Sequence, residues 1–171
     1  MLFKRGASED LWGYVDASHT SCPNTGKGRA AYVFISRGAL VSWASKRVGS
    51  DSLSSCETEY MGLTLAAQKA SYLGELKGEM YGESGKAKVK CIDLLTDNQS
   101  AKSLPENPVF HGRSKHTRSK WHFILKRVEL GMVKLVDVVR TELMGAHMMT
   151  KSVGPAVLKV NMKLIGMFKS G

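Results

Sequence analysis

Three apolar, strand-like runs follow one another within residues 11–45: "LWGYVDAS", "AAYVFIS" at 30–36 and "ALVSWAS" at 39–45. The segments between them, "SHTSCPNTGKGR" and "RG", are turn material rich in Gly, Asn, Pro and Ser. Strands joined so closely have no room for a crossover helix, so they predict an antiparallel meander. The period then changes. In "SSCETEYMGLTLAAQKASYLGELKGEMYG" the apolar residues Tyr60, Leu63, Ala67, Ala70 and Leu73 or Leu76 recur at intervals of three and four, which predicts a long helix with one apolar face and Ser54 or Ser55 as its N-cap.

After the turn-rich "GESGK", "AKVKCIDLLTD" reads as a fourth strand, "NQSAKSL" as a short helix stopped by Pro105, and "ENPVFHGRSKH" as a loop. Trp121, Ile124, Leu125 and Val128 restore helical spacing from about 116 to 130. "GMVKLVDVV" is a last strand, "LMGAHMMTKSV" starts a further helix, and "PAVLKVNMKLIGMF" is a helical tail. Three antiparallel strands followed by alternating helices and strands describe an α/β mixed sheet with helices on its faces. With 171 residues and 43% apolar content the chain can bury a full core, and one domain over 1–171 is expected.

Composition narrows the function. No apolar run reaches the length of a membrane span, and "MLFKRGASEDLW" lacks the apolar middle of a signal peptide, so a soluble, unsecreted protein with no membrane partner is expected. Cys22, Cys56 and Cys91 are odd in number and widely spaced, which argues against a disulfide framework or a zinc site and for small buried hydrophobes. A net charge of +10 favours polyanions, above all nucleic acid. The segment "HGRSKHTRSKWHFILKR" concentrates that charge: it holds Arg113, Lys115, Arg118, Lys120, Lys126 and Arg127, no acid, and Trp121 and His122 among the bases. That mixture points to phosphate contact.

Two acids stand where apolar strand gives way to polar turn, Asp16 in "GYVDAS" and Asp97 in "LLTDNQ", and ligands of such sheets gather at strand ends. Glu59 lies in the first turns of the long helix, whose start should pack over the same edge. Three carboxylates brought together repel one another unless a cation sits between them, and hard oxygen donors favour magnesium or manganese. For Asp97, followed by Asn98, Gln99 and Ser100, capping of a helix is the competing role.

The ordered set "GYVDAS", "YVFISRGALVSWASKR", "SLSSCETEYMGLTLAAQKA", "TDNQSAKSLPENPVFHGRSKH", "HFILKRVELG" and "MMTK" resembles the ribonuclease H domain of copia-type LTR retrotransposon polyproteins, from about Gly13 to Ile165. The resemblance implies a ribonuclease H-like fold, with a five-stranded mixed sheet of three antiparallel strands and parallel additions. It also implies a hydrolase, a metal-dependent endonuclease that cuts the RNA strand of RNA/DNA hybrids with two magnesium (or manganese) ions. Asp16 matches the first-strand Asp, Glu59 the first-helix Glu and Asp97 the fourth-strand Asp, while Glu57 is a neighbour also typical of the pattern. Ser18, Asn98 and Gln99 become candidates for hydroxyl and sugar contacts, and Arg113, Lys115, Arg118 and Lys120 for phosphates. The implied partners are an RNA/DNA hybrid and the reverse transcriptase domain of the same polyprotein, and the implied location is intracellular, in a cytoplasmic virus-like particle or the nucleus.

Three departures from the family pattern stand out. Where its last motif reads Ala-Asp before two apolar residues and Thr-Lys, this chain has "AHMMTK", so His147 takes the fourth acidic position. Arg118 replaces an Asp, and Ser18 and His19 stand where a second Asp and a Trp are common. His147 has three open roles: an imidazole ligand suited to manganese, a proton acceptor or donor, or a lost function. The last leaves a catalytically degenerate, nucleic-acid-binding module as the alternative.

Overall fold

The computed structural model describes residues 10–19, 24–48, 55–80, 91–97, 115–137 and 143–167. Its strands are β1 (Leu11–Ser18), β2 (Arg29–Ser36), β3 (Ala39–Arg47), β4 (Ile92–Thr96) and β5 (Val133–Asp137), and its helices are α1 (Ser55–Met80), α2 (Lys115–Glu129) and α3 (Pro155–Leu164). One sheet runs in the order β3-β2-β1-β4-β5. β1, β2 and β3 pair antiparallel, and β4 and β5 add in parallel beside β1. This is the mixed five-stranded sheet that the sequence predicts.

The β2–β3 hairpin turns on Arg37 and Gly38, both at positive φ (52° and 72°), the signature of a two-residue turn whose twist matches the strands. Alternation along β1 then divides the core. Leu11 and Val15 face a cluster with Phe34, Tyr60, Leu63, Ala67, Leu94 and Ile124, where α1 and α2 pack. Trp12 and Tyr14 face the opposite cluster, with Val33, Ile35, Leu40, Met144, Ala146 and Ile165. α1 packs on β1 at Gly62, where even an added Cβ would make only ordinary contacts, 3.5 Å from the Val15 side chain and 3.6 Å from the Asp16 carbonyl oxygen. That packing brings the first turns of α1 over the end of β1.

Several expectations need correction. β1 does not end at Asp16, because its pairing with β2 continues to Ser18 opposite Arg29, and Asp16 is a buried strand residue. "LMGAHMMTKSV" forms only a 3-10 turn at His147–Met149 rather than the start of an α-helix. The reason is tertiary. The backbone at Gly145 is pressed so tightly onto Tyr14 and Ile165 that an added Cβ would lie 2.7 Å and 2.9 Å from their side chains, and Thr150 turns its hydroxyl to the His147 carbonyl. The helical tail begins at Pro155 as expected but ends earlier than "PAVLKVNMKLIGMF" does, after Leu164, at a Schellman-type cap on Gly166 (φ 71°), with Met167 N–H donating to Met162 O. Cys91, expected to be buried, is exposed; Cys56 is half-buried and both are free thiols. Ser55 is the first residue of α1, while Ser54, "NQSAKSL" and "ENPVFHGRS" lie outside the described residues. No helix among the described residues is long and apolar enough to cross a membrane.

Candidate active site

Strand register brings two of the three carboxylates together. β1 and β4 pair in parallel as Trp12↔Asp93, Gly13↔Leu94 and Tyr14↔Leu95, and two further steps along the same register set Asp16 beside Asp97. Since side chains alternate with period two, Asp16 shares the face of Tyr14, and Asp97 that of Leu95, both in the second core cluster. Glu59 comes from the second turn's worth of α1 residues. It and Glu57, two positions apart, point about 200° away from each other around the helix.

The three acids lie within electrostatic reach of one another. Burial raises the Asp16 pKa above the ordinary carboxylate range and the Asp97 charge raises it further, while a hydrogen bond from Thr150 and the positive potential of His147 and Lys151 act in the opposite sense. Burial also raises Glu59, followed by repulsion from Asp97 and then from Asp16. Glu59 is therefore the helix acid that faces the other two. Among the described residues, no three His, Cys, Asp or Glu side chains already lie close enough together to enclose one ion. The chemistry of the donors does fit a hard divalent cation: all are carboxylates, they repel one another, and burial leaves that repulsion poorly screened.

His147 stands beside Asp16. It is buried, and its Nδ1 lies 3.5 Å from Asp16 Oδ2 without forming a hydrogen bond. Asp16 Oδ2 instead accepts a short hydrogen bond from the Thr150 hydroxyl. Neither Thr150 nor Lys151 emerges as a site residue from sequence reasoning; the "TK" after "HMM" is the signal that marks them. A third contact was also hidden: His19 Nδ1 lies 3.2 Å from Thr58 Oγ1, which ties the end of β1 to the α1 turn that carries Glu59.

The expected nucleic-acid contacts fall in different places. Ser18 ends β1, two residues beyond Asp16 and half-buried. Arg118 is exposed and Lys120 half-buried on α2, which also displays His122 in edge contact with Trp121, ring centroids 4.7 Å apart. Arg127 is committed elsewhere, over the Phe123 ring at 4.9 Å. Asn98, Gln99 and Arg113 lie outside the described residues, as does the side chain of Lys115. Lys120 also lines a groove of about 320 Å³ with Lys46 and Arg47 from the end of β3, over Met61 and Leu65 of α1. Among the described residues no acid lines that groove, so β3 extends the basic surface in a way the sequence segment alone did not reveal.

No family model matches the chain. It is 29% identical over 162 residues (95% of the chain) to the retrovirus-related Pol polyprotein from transposon TNT 1-94 of Nicotiana tabacum, and 26% identical over 169 residues (99% of the chain) to that from transposon RE2 of Arabidopsis thaliana. The chain spans only 12% and 11% of the length of those two polyproteins. Among solved structures, a ribonuclease H1 in complex with an RNA/DNA hybrid superposes with a TM-score of 0.56 at 14% identity, over 82% of this chain and 94% of that one. The foamy viral protease-reverse transcriptase in complex with an RNA/DNA hybrid gives 0.52 at 15% identity, over 90% of this chain and 20% of that one. Sheet order and these likenesses agree: the chain has the ribonuclease H fold and is similar, over nearly its whole length, to a short stretch of the Pol polyproteins of plant transposons.

Proposed function

We propose that this chain is a metal-dependent endonuclease that hydrolyses the RNA strand of RNA/DNA hybrids, as the ribonuclease H domain of a retrotransposon polyprotein, folded as one domain over 1–171. The observation that carries the reading is the approach of Asp16, Glu59 and Asp97, drawn from β1, α1 and the end of β4: the continued β1–β4 register sets Asp97 beside Asp16, and the Asp97 charge adds to burial in raising the pKa of both Asp16 and Glu59. Uncompensated carboxylates of this kind are costly unless a cation or a proton is part of the working state. Asp16, Glu59 and Asp97 would hold magnesium or manganese. Bound there, the ions would supply Lewis acidity for activating a water and for offsetting negative charge at the scissile phosphate.

The chain's own residues do the rest. Asp16 is oriented by Thr150, and Glu59 is carried by the α1 turn that His19 and Thr58 tie to β1. His147, buried beside Asp16, is placed to exchange a proton with a group entering the cluster. The α2 cations Lys115, Arg118 and Lys120, with Arg113 before the helix, would hold phosphates of the DNA strand. Ser18, Asn98 and Gln99 would read 2′-hydroxyls and sugars in the minor groove, the feature that distinguishes an RNA strand from DNA. The partners that follow are an RNA/DNA hybrid and the reverse transcriptase of the same polyprotein, in a virus-like particle or the nucleus. Two neighbours solved with RNA/DNA hybrids, one of them fused to a reverse transcriptase, support this choice.

One observation favours a second reading. His147 sets an imidazole 3.5 Å from Asp16 where the family pattern carries another acid, and a cationic imidazole there would compete with a metal for the same oxygen. On that reading the domain binds hybrids without cutting them. The test is hybrid cleavage in magnesium and in manganese beside Glu59→Gln. Cleavage that needs the metal and is lost in the variant supports the nuclease; tight binding with no cleavage in either metal selects the binding module.

A further inference from the structure

The C-terminal end of the 3-10 turn that carries His147 is fastened to both ends of one row of the sheet, through the consecutive residues Met149 and Thr150. That row crosses the strands as Asp16, Ala31 and Ser45, paired in register. At one end Thr150 donates to Asp16 Oδ2 and to the His147 carbonyl oxygen at 3.0 Å. At the other, Ser45 Oγ donates to the Met149 carbonyl oxygen at 2.7 Å, and Arg29 Nη1 donates to the same Ser45 Oγ at 3.2 Å. Between them stands Ala31, only 2% exposed. Asp16 and Ser45 are two strands apart, roughly 10 Å at ~4.8 Å per strand, so neither touches the other.

Resting on the proposed nuclease site, we infer that this turn is a positioning strap: Ser45 and Arg29 anchor Met149, and the anchored turn holds Thr150 so that it fixes the orientation of the Asp16 carboxylate. Thr150 is thus a positioning residue for cation binding, and Ser45 acts through it from the far side of the sheet row. The physical reason is that a lone carboxylate on a strand rotates about its side-chain bonds, and each rotamer presents different oxygens to the site. A buried hydroxyl bonded to one oxygen selects a single orientation before any ligand arrives, as outer hydrogen-bond partners of metal-binding groups generally do. The hydroxyl is itself held only because the turn behind it is fastened. Thr150 is 1% exposed, so no solvent competes for that hydrogen bond.

The test uses the full chain and three variants: Thr150→Val, which keeps shape and removes the hydroxyl, Thr150→Ser, which restores it, and Ser45→Ala, which touches nothing at the carboxylate. Two quantities are read. The first is the carboxyl-carbon NMR resonance of Asp16 in metal-free protein, identified by its absence in Asp16→Asn. The second is manganese affinity by titration without nucleic acid. The strap predicts that the resonance moves in Thr150→Val, moves part of the way in the same direction in Ser45→Ala, and returns in Thr150→Ser. It also predicts that manganese affinity falls about tenfold in Thr150→Val and recovers to within about twofold in Thr150→Ser. A resonance unmoved by Ser45→Ala, or a Thr150→Ser variant no different from Thr150→Val, overturns the strap. If the unaltered chain binds no manganese while the resonance behaves as predicted, the nuclease reading fails and the strap stands.

Discussion

Removing one of the three acids should stabilise the metal-free protein. Asp97 follows β4 directly, and the β1–β4 register, continued two steps, sets it beside Asp16 across strands about 4.8 Å apart. Two carboxylates roughly 5 Å apart at an effective permittivity near 20 repel by about 3 kcal/mol. Asp97 is only half-buried, so solvent and salt reduce this to about 1–2 kcal/mol. The change Asp97→Asn keeps the shape and deletes the charge, and for a chain of this size the gain corresponds to about 2–8 °C in Tm. The sign with pH is fixed by the raised pKa values. Folding holds Asp16 and Glu59 above their unfolded values, so their contribution is fully present at acid pH, below the unfolded carboxylate range, and is lost as pH rises through the folded values. Metal-free protein should therefore grow less stable from mildly acid to neutral pH on their account. Asp97→Asn should reduce that loss without abolishing it, because burial, the larger cause for both groups, remains. Thermal unfolding in chelator across that pH range, with and without the substitution, checks both points. A variant equal to or less stable than the parent at neutral pH, with the same pH slope, would refute the argument that the carboxylates face one another.

Other consequences are simpler to reach. Neutralising Lys115, Arg118 and Lys120 together should lower the slope of log affinity against log salt for hybrid binding by up to about three; an unchanged slope would place the contact surface elsewhere. Gly145→Ala should destabilise by more than about 1 kcal/mol, since its Cβ would lie 2.7 Å from the Tyr14 ring and 2.9 Å from Ile165, and chemical denaturation would show it. Arg37→Asn should stabilise by up to about 1 kcal/mol, because Arg37 holds a φ of 52° that Asn tolerates better; an unchanged denaturation midpoint would argue against strain at that turn.

Much of the architecture is legible in the chain because it is local. Period-two runs, a Gly-containing two-residue turn and three-and-four spacing are short-range signals, and they yield the meander, α1, α2 and the order of elements. Parallel addition of β4 beside β1 has no local signal, yet it alone sets Asp97 against Asp16. The acids were recognisable from their motifs, whereas their mutual repulsion needed the register. Residues 143–153 read as helix because Leu143, Met144, Met148 and Met149 are apolar at suitable spacings; the close pack of Gly145 on Tyr14 and the Thr150–Asp16 hydrogen bond override that preference. The same tertiary placement explains why Thr150, Ser45 and Lys46 were not evident as site or surface residues: each acquires its role from a partner distant in sequence.

The claim that this carboxylate cluster is a working nuclease site is tested most directly by cleavage of a labelled RNA/DNA hybrid in magnesium and in manganese, by the unaltered chain beside Asp97→Asn and His147→Asp. The account predicts metal-dependent cutting of the RNA strand by the unaltered chain, its loss in Asp97→Asn, and equal or faster cutting in His147→Asp. Cutting that survives Asp97→Asn, or silence in both metals that His147→Asp does not relieve, would contradict it.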